Sequence, residues 1–176
     1  MKKIISAGII LISTQAFSQV IIGDDTGTAI NKTSVLLEFA AGQNKGLILP
    51  YVRTLPASPA EGTIVLDASA PTAARVKYYN GTWVDLSGQD ANVGEEMDDQ
   101  PTTAEITGAK AVIGASTSTA DGVLVLESTT KAMVLPTVTD VSLIPDPSPG
   151  MMVYVNKADA KRLAVFNGSQ WSFWAP

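Results

Sequence analysis

Apolar residues along this chain fall in short runs, and the clearest runs alternate with a period of two. Val76 and Tyr78 in RVKYY, and Leu163 and Val165 in RLAVF, sit at alternate positions, as a half-buried strand requires. Each run leads into Asn-Gly, Asn80-Gly81 or Asn167-Gly168, with Trp83 or Trp171 just beyond. Asn-Gly is expected to supply the positive φ values of a tight hairpin. After residue 18, no stretch shows a 3.6-residue apolar period.

What precedes the two hairpins recurs as well, so the chain reads as two versions of one unit. Each unit opens with an apolar pair and glycine, Ile21-Ile22-Gly23 and Val112-Ile113-Gly114. A Thr/Ala/Asp-rich stretch leads to an apolar run ending in glutamate, Val35-Leu36-Leu37-Glu38 and Leu124-Val125-Leu126-Glu127. Lys45 to Pro50 (KGLILP) matches Lys131 to Pro136 (KAMVLP). Proline-rich connectors follow, Leu55 to Gly62 and Ile144 to Gly150, and after them further strands, Thr63 to Leu66 and Met151 to Val155. Pro50 and Pro136, Gly62 and Gly150, Asn80 and Asn167 are separated by 86, 88 and 87 residues. So constant an offset indicates duplication.

Short β-branched and aromatic runs punctuated by Gly, Pro, Asn and Asp predict strands. The prolines place the connectors in loops or at sheet edges. Ser87 to Pro101 is acidic and nearly free of large apolar residues, so it reads as a mobile linker. The expected fold is mainly β: two small tandem antiparallel β-meander modules joined by an acidic linker, with little helix apart from a signal peptide. The expected boundaries are 1–18 for the signal peptide, 19–87 for the first module, 88–108 for the linker and 109–176 for the second module.

The signal peptide rests on Met1-Lys2-Lys3, the apolar run Ile4 to Ile12, and small residues Ala16 and Ser18 ahead of Gln19. A basic head, a short apolar middle and a small-residue cleavage site are secretory grammar, and the run is too short to anchor in a bilayer. The chain is thus expected to be secreted, with no membrane insertion after cleavage. The formal charge of −5 becomes −7 once Lys2 and Lys3 are lost. That charge repels phosphate backbones and argues against nucleic-acid partners.

Cysteine and histidine are both absent, which empties the usual transition-metal ligand set and leaves serine without a histidine base. Glu95, Glu96, Asp98 and Asp99 lie in the soft linker, where no pocket holds them at the fixed separation acid–base chemistry needs. Asp24-Asp25 with Gly27 lacks the full pattern of a calcium loop. The expectation is no enzyme, no cofactor and no metal site. Small extracellular domains without disulfides must find other support, and with metals set aside, self-association is favoured.

Aromatics gather at the hairpin ends. Tyr78, Trp83, Trp171 and Trp174 are the candidate interaction residues; packing into the small core of each unit is the competing role for the tryptophans. Trp174 has no counterpart in the first unit.

The order Leu37-Glu38, Lys45 to Pro50, Pro59 to Gly62 and Tyr79 to Trp83, repeated as Leu126-Glu127, Lys131 to Pro136, Pro147 to Gly150 and Phe166 to Trp171, resembles the short modules of secreted Gram-negative surface proteins that are similar to phage tail-fibre segments. The short helix typical of that family, between the lysine segment and the Pro-Gly step, has no evident match in Tyr51 to Pro56 or Thr137 to Ile144. The resemblance implies an extracellular, β-rich, structural or adhesive protein. Its partners would be itself, as a trimer or dimer, and a large surface adhesin or envelope complex. Two alternatives stand beside this: a carbohydrate-binding module using the aromatics on a glycan, and an accessory subunit of an adhesin or outer-membrane export system that recognises a partner's β edge.

Overall fold

The computed structural model describes residues 19–174; the expected signal peptide lies outside the described residues. In the first unit the strands are β1 (Val20–Ile22), β2 (Val35–Phe39), β3 (Leu47–Ile48), β4 (Tyr51–Val52), β5 (Ile64–Asp67), β6 (Arg75–Tyr79) and β7 (Trp83–Asp85). A single-turn helix, α1 (Gly94–Asp98), follows. The second unit repeats the order as β8 (Ala111–Ile113), β9 (Leu124–Leu126), β10 (Ala132–Met133), β11 (Thr137–Val138), β12 (Met151–Val155), β13 (Arg162–Phe166) and β14 (Trp171–Trp174). The chain is mainly β.

The meander expectation describes only part of each unit. β5, β6 and β7 run antiparallel, as do β12, β13 and β14. Each meander is flanked by a parallel strand, β4 against β5 and β11 against β12. The pairs β1–β2 and β8–β9 are parallel too. Parallel neighbours need a crossover of about a dozen residues, and the Thr/Ala/Asp-rich stretches supply it.

The units are not separate bodies. β3 of the first unit joins β12 of the second, with Met151 opposite Ile48 and Met152 opposite Leu47. β10 of the second unit joins β2 of the first. The larger core cluster combines Leu49, Leu66, Val76 and Val93 with Met152 and Val165. A smaller one gathers Val138, Ile144, Met151, Val153, Val155 and Ala164.

The front of the expected linker is packed rather than mobile. Ala91 bridges Ala74, and Ala91, Val93 and Met97 are buried in the shared core. Arg53 Nη2 donates to the Met97 carbonyl and Gln100 Nε2 to the Tyr51 carbonyl. Three apolar side chains spaced among acidic ones suffice to dock a segment this short. The continuously exposed connection is residues 101–111.

The Asn-Gly turns differ from expectation as well. Gly81 and Gly168 take positive φ, 72° and 113°, while neither asparagine does. The loops carry three and four residues, Asn80 to Thr82 and Asn167 to Gln170. Such loops need one left-handed residue rather than the two of a two-residue turn.

Candidate functional site

Two kinds of feature could carry function: the aromatic hairpin ends and strand edges whose backbone groups have no partner. The polar residues are occupied in holding loops. Glu38, fully buried, accepts from Thr28 N and Ala29 N at 2.8 Å each, from Lys32 Nζ at 2.5 Å, and from Gln19 Nε2. Burial opposes its ionisation, but the lysine and the two amides outweigh that and hold the carboxyl below its ordinary range. Glu38 thereby clamps the crossover between β1 and β2. Its counterpart Glu127 is half-buried and takes only the Ser118 hydroxyl. Asp67 with Lys77, and Asp85 with Arg75, brace the first meander. Burial raises both carboxyls and their bonding partners lower them further, with a net downward shift. Among the described residues no group of three His, Cys, Asp or Glu could hold a metal ion, and no helix is long and apolar enough to cross a membrane.

The four aromatic candidates sit in different settings. Tyr78 is half-buried against the shared core. Trp83 is half-buried and meets Tyr79 edge-on, ring centroids 5.3 Å apart. Trp171 is half-buried on the smaller cluster and tilts against Phe166 at 5.3 Å. Trp174 is 46% exposed, yet its Nε1 donates to the Leu86 carbonyl at 2.8 Å. It ties β14 to the end of β7. Beside it Phe173 is exposed, with Arg162 stacked over its ring at 4.3 Å. The fold does not gather these rings into one platform.

Which strand edges stay open was not legible in the sequence, because register cannot be read from composition. Ala111 N donates to Val123 O and Glu127 N to Ile113 O. With period-two alternation, the backbone groups of Leu124 and Leu126 therefore point away from β8, where no described strand lies. Around that edge Val123 is 66% and Leu124 44% exposed. A second bare edge is the leading half of β5: Leu66 N bonds Pro50 O and Ala68 N bonds Val52 O. Ile64, of the same parity, faces that side with no strand beside it.

The described residues thus form a mainly β fold in which apolar strand edges stay unpaired. Residues 112–175 match the family model described as phage tail like trimerisation region, so the second unit is similar to a tail-fibre-like module. No curated protein and no solved structure matches the chain.

Proposed function

We propose that this protein is a non-enzymatic structural protein that self-associates as a trimer through its second unit, acting outside the cytoplasm after signal removal and docking on a larger surface assembly. The observation that carries the reading is the match of residues 112–175 to a trimerisation family. The unpaired edge of β9 lies inside that span and supports it, since an open apolar edge invites pairing. A two-stranded sheet such as β8–β9 is also marginal by itself.

Sedimentation equilibrium of residues 19–176 tests the trimer. A mass of three chains is expected; a monomer at micromolar concentration overturns it. Pull-down from the native envelope tests the docking step, with a large surface protein expected in the eluate. Recovery of this chain alone counts against docking and leaves the trimer intact.

A further inference from the structure

The internal duplication shows what belongs in the two bare edges. The lysine-led strand of each unit, β3 or β10, has two edges, and the chain uses a different one in each. In β3, Leu47 is paired with Met152 and Leu49 N donates to Gly150 O, so this parity faces β12. The backbone of Gly46 and Ile48 is left on the other side. In β10, Ala132 N donates to Ser34 O and Val134 N to Leu37 O, so this parity faces β2. Here Met133, the counterpart of Leu47, is left outward. Each strand leaves unused the edge that its counterpart uses.

The acceptors are complementary in the same way. β2 has β10 on its outer edge, whereas no described strand lies beside its counterpart β9. β12 has β3 on its leading half, whereas no described strand lies there on its counterpart β5. Glycine surroundings report the same asymmetry. A Cβ placed on Gly150 would lie 3.3 Å from Leu66 Cβ and 3.5 Å from Leu49 O, and one on Gly168 would lie 3.1 Å from Val93 Cγ1. On the counterparts Gly62 and Gly81 a Cβ would meet nothing within 4 Å. Two unused donor edges thus match two empty acceptor edges, and each match is already built once inside the chain.

We propose that chains join head to tail by exchanging these strands. β3 of a second copy lies parallel on β9 with Leu47 opposite Leu126, so that Ile48 N reaches Leu126 O as Val134 N reaches Leu37 O. At the same contact β10 of the first copy lies antiparallel on the leading half of the second copy's β5, with Met133 opposite Ile64 and Val134 opposite Thr63. Both registers are carried over from β10 on β2 and from β3 on β12. Such a contact is heterologous, and it closes into a ring only if its rotation allows. The inference rests on the trimer reading, which sets closure at three chains.

The chain contains no cysteine, so cross-linking tests it directly. Thr63→Cys and Val134→Cys variants, carrying different tags, are unfolded, mixed, refolded and oxidised. The expected product is a disulfide-linked pair containing one of each tag, absent when either variant is oxidised alone. A three-chain mass without that pair overturns the strand assignment and leaves the trimer standing; a monomeric mass overturns both. Leu124→Pro checks the other edge without new thiols. Proline is tolerated at the start of an edge strand whose N–H faces outward, so circular dichroism should be unchanged. At least a tenfold weakening of association is expected, and unchanged association overturns the β9 contact.

Discussion

The two units carry the same strands in the same order, yet their surroundings differ at several matched positions. Asn167 is buried and bonded on both sides of its amide, donating to Gln89 O at 2.7 Å and accepting from Ser169 N and Gln170 N at 3.0 Å. Asn80 is exposed. Glu38 is sealed under its crossover, while Glu127 has one hydroxyl partner. Gly46 crosses β12 so closely that a Cβ would lie 2.9 Å from Val153 Cγ1, while its counterpart Ala132 is exposed on the edge of β2. The recurring motifs set a local pattern, but the units pack on each other through different strands, β3 on β12 and β10 on β2. Each unit therefore meets a different neighbour, and identical motifs are put to different uses.

Matched substitutions break or sharpen this contrast. The largest loss is expected in the core the units share: Leu66→Ala and Met152→Ala should each cost about 2–5 kcal/mol in urea unfolding, within one cooperative transition. Two transitions, with each variant affecting only one, would show the units to be independent.

Next comes the buried carboxylate. Glu38→Leu should cost about 3 kcal/mol by orphaning two amides and Lys32, and Glu127→Leu only about 1 kcal/mol. A folded-state pKa below the unfolded value gives stability that is present above the unfolded value and lost as pH falls through the folded one. The buried or half-buried lowered groups Glu38, Asp67 and Asp85 belong to the first unit, and in the second the Ser142 amide and Lys157 hold the exposed Asp140 carboxyl down to about 2. The melting temperature should therefore drop as pH falls below about 4.5, and the drop should be shallower in Glu38→Gln. An identical acid profile for that variant would remove Glu38 from the account.

Asn167→Ala should cost about 2 kcal/mol and Asn80→Ala less than about 0.5 kcal/mol, again by urea titration. Equal losses would mean that both turns are buttressed alike. The smallest effect is at the strand crossing. Gly46→Val should cost about 1–2 kcal/mol through overpacking against Met151 and Val153, and Ala132→Gly about 0.5 kcal/mol.

Much of the strand content was legible in sequence because its signals are local. Val76 and Tyr78 alternate within one strand, prolines forbid ladder interiors, and glycine after asparagine marks each turn. Glu38 had a visible signal too, since Leu-Glu recurs in both units, but nothing local distinguishes a carboxylate that ends a strand from one that anchors a crossover. The packed segment around Val93 and Met97 was hidden by its acidic neighbours. An average over the window conceals three apolar residues that find a shared hydrophobic site.

By itself, then, the sequence determined the β character, the recurring order of motifs and the positions of the turns, because period-two patterning, repeated motifs and the φ demands of glycine and proline act over a few residues. Only the tertiary structure decided which strand lies beside which, that β3 and β10 cross between units, and which edges stay open. Strand pairing is chosen by burial and register between segments about a hundred residues apart, as where Leu47 meets Met152 and Ala132 meets Val35. No local run of residues encodes a partner at that distance.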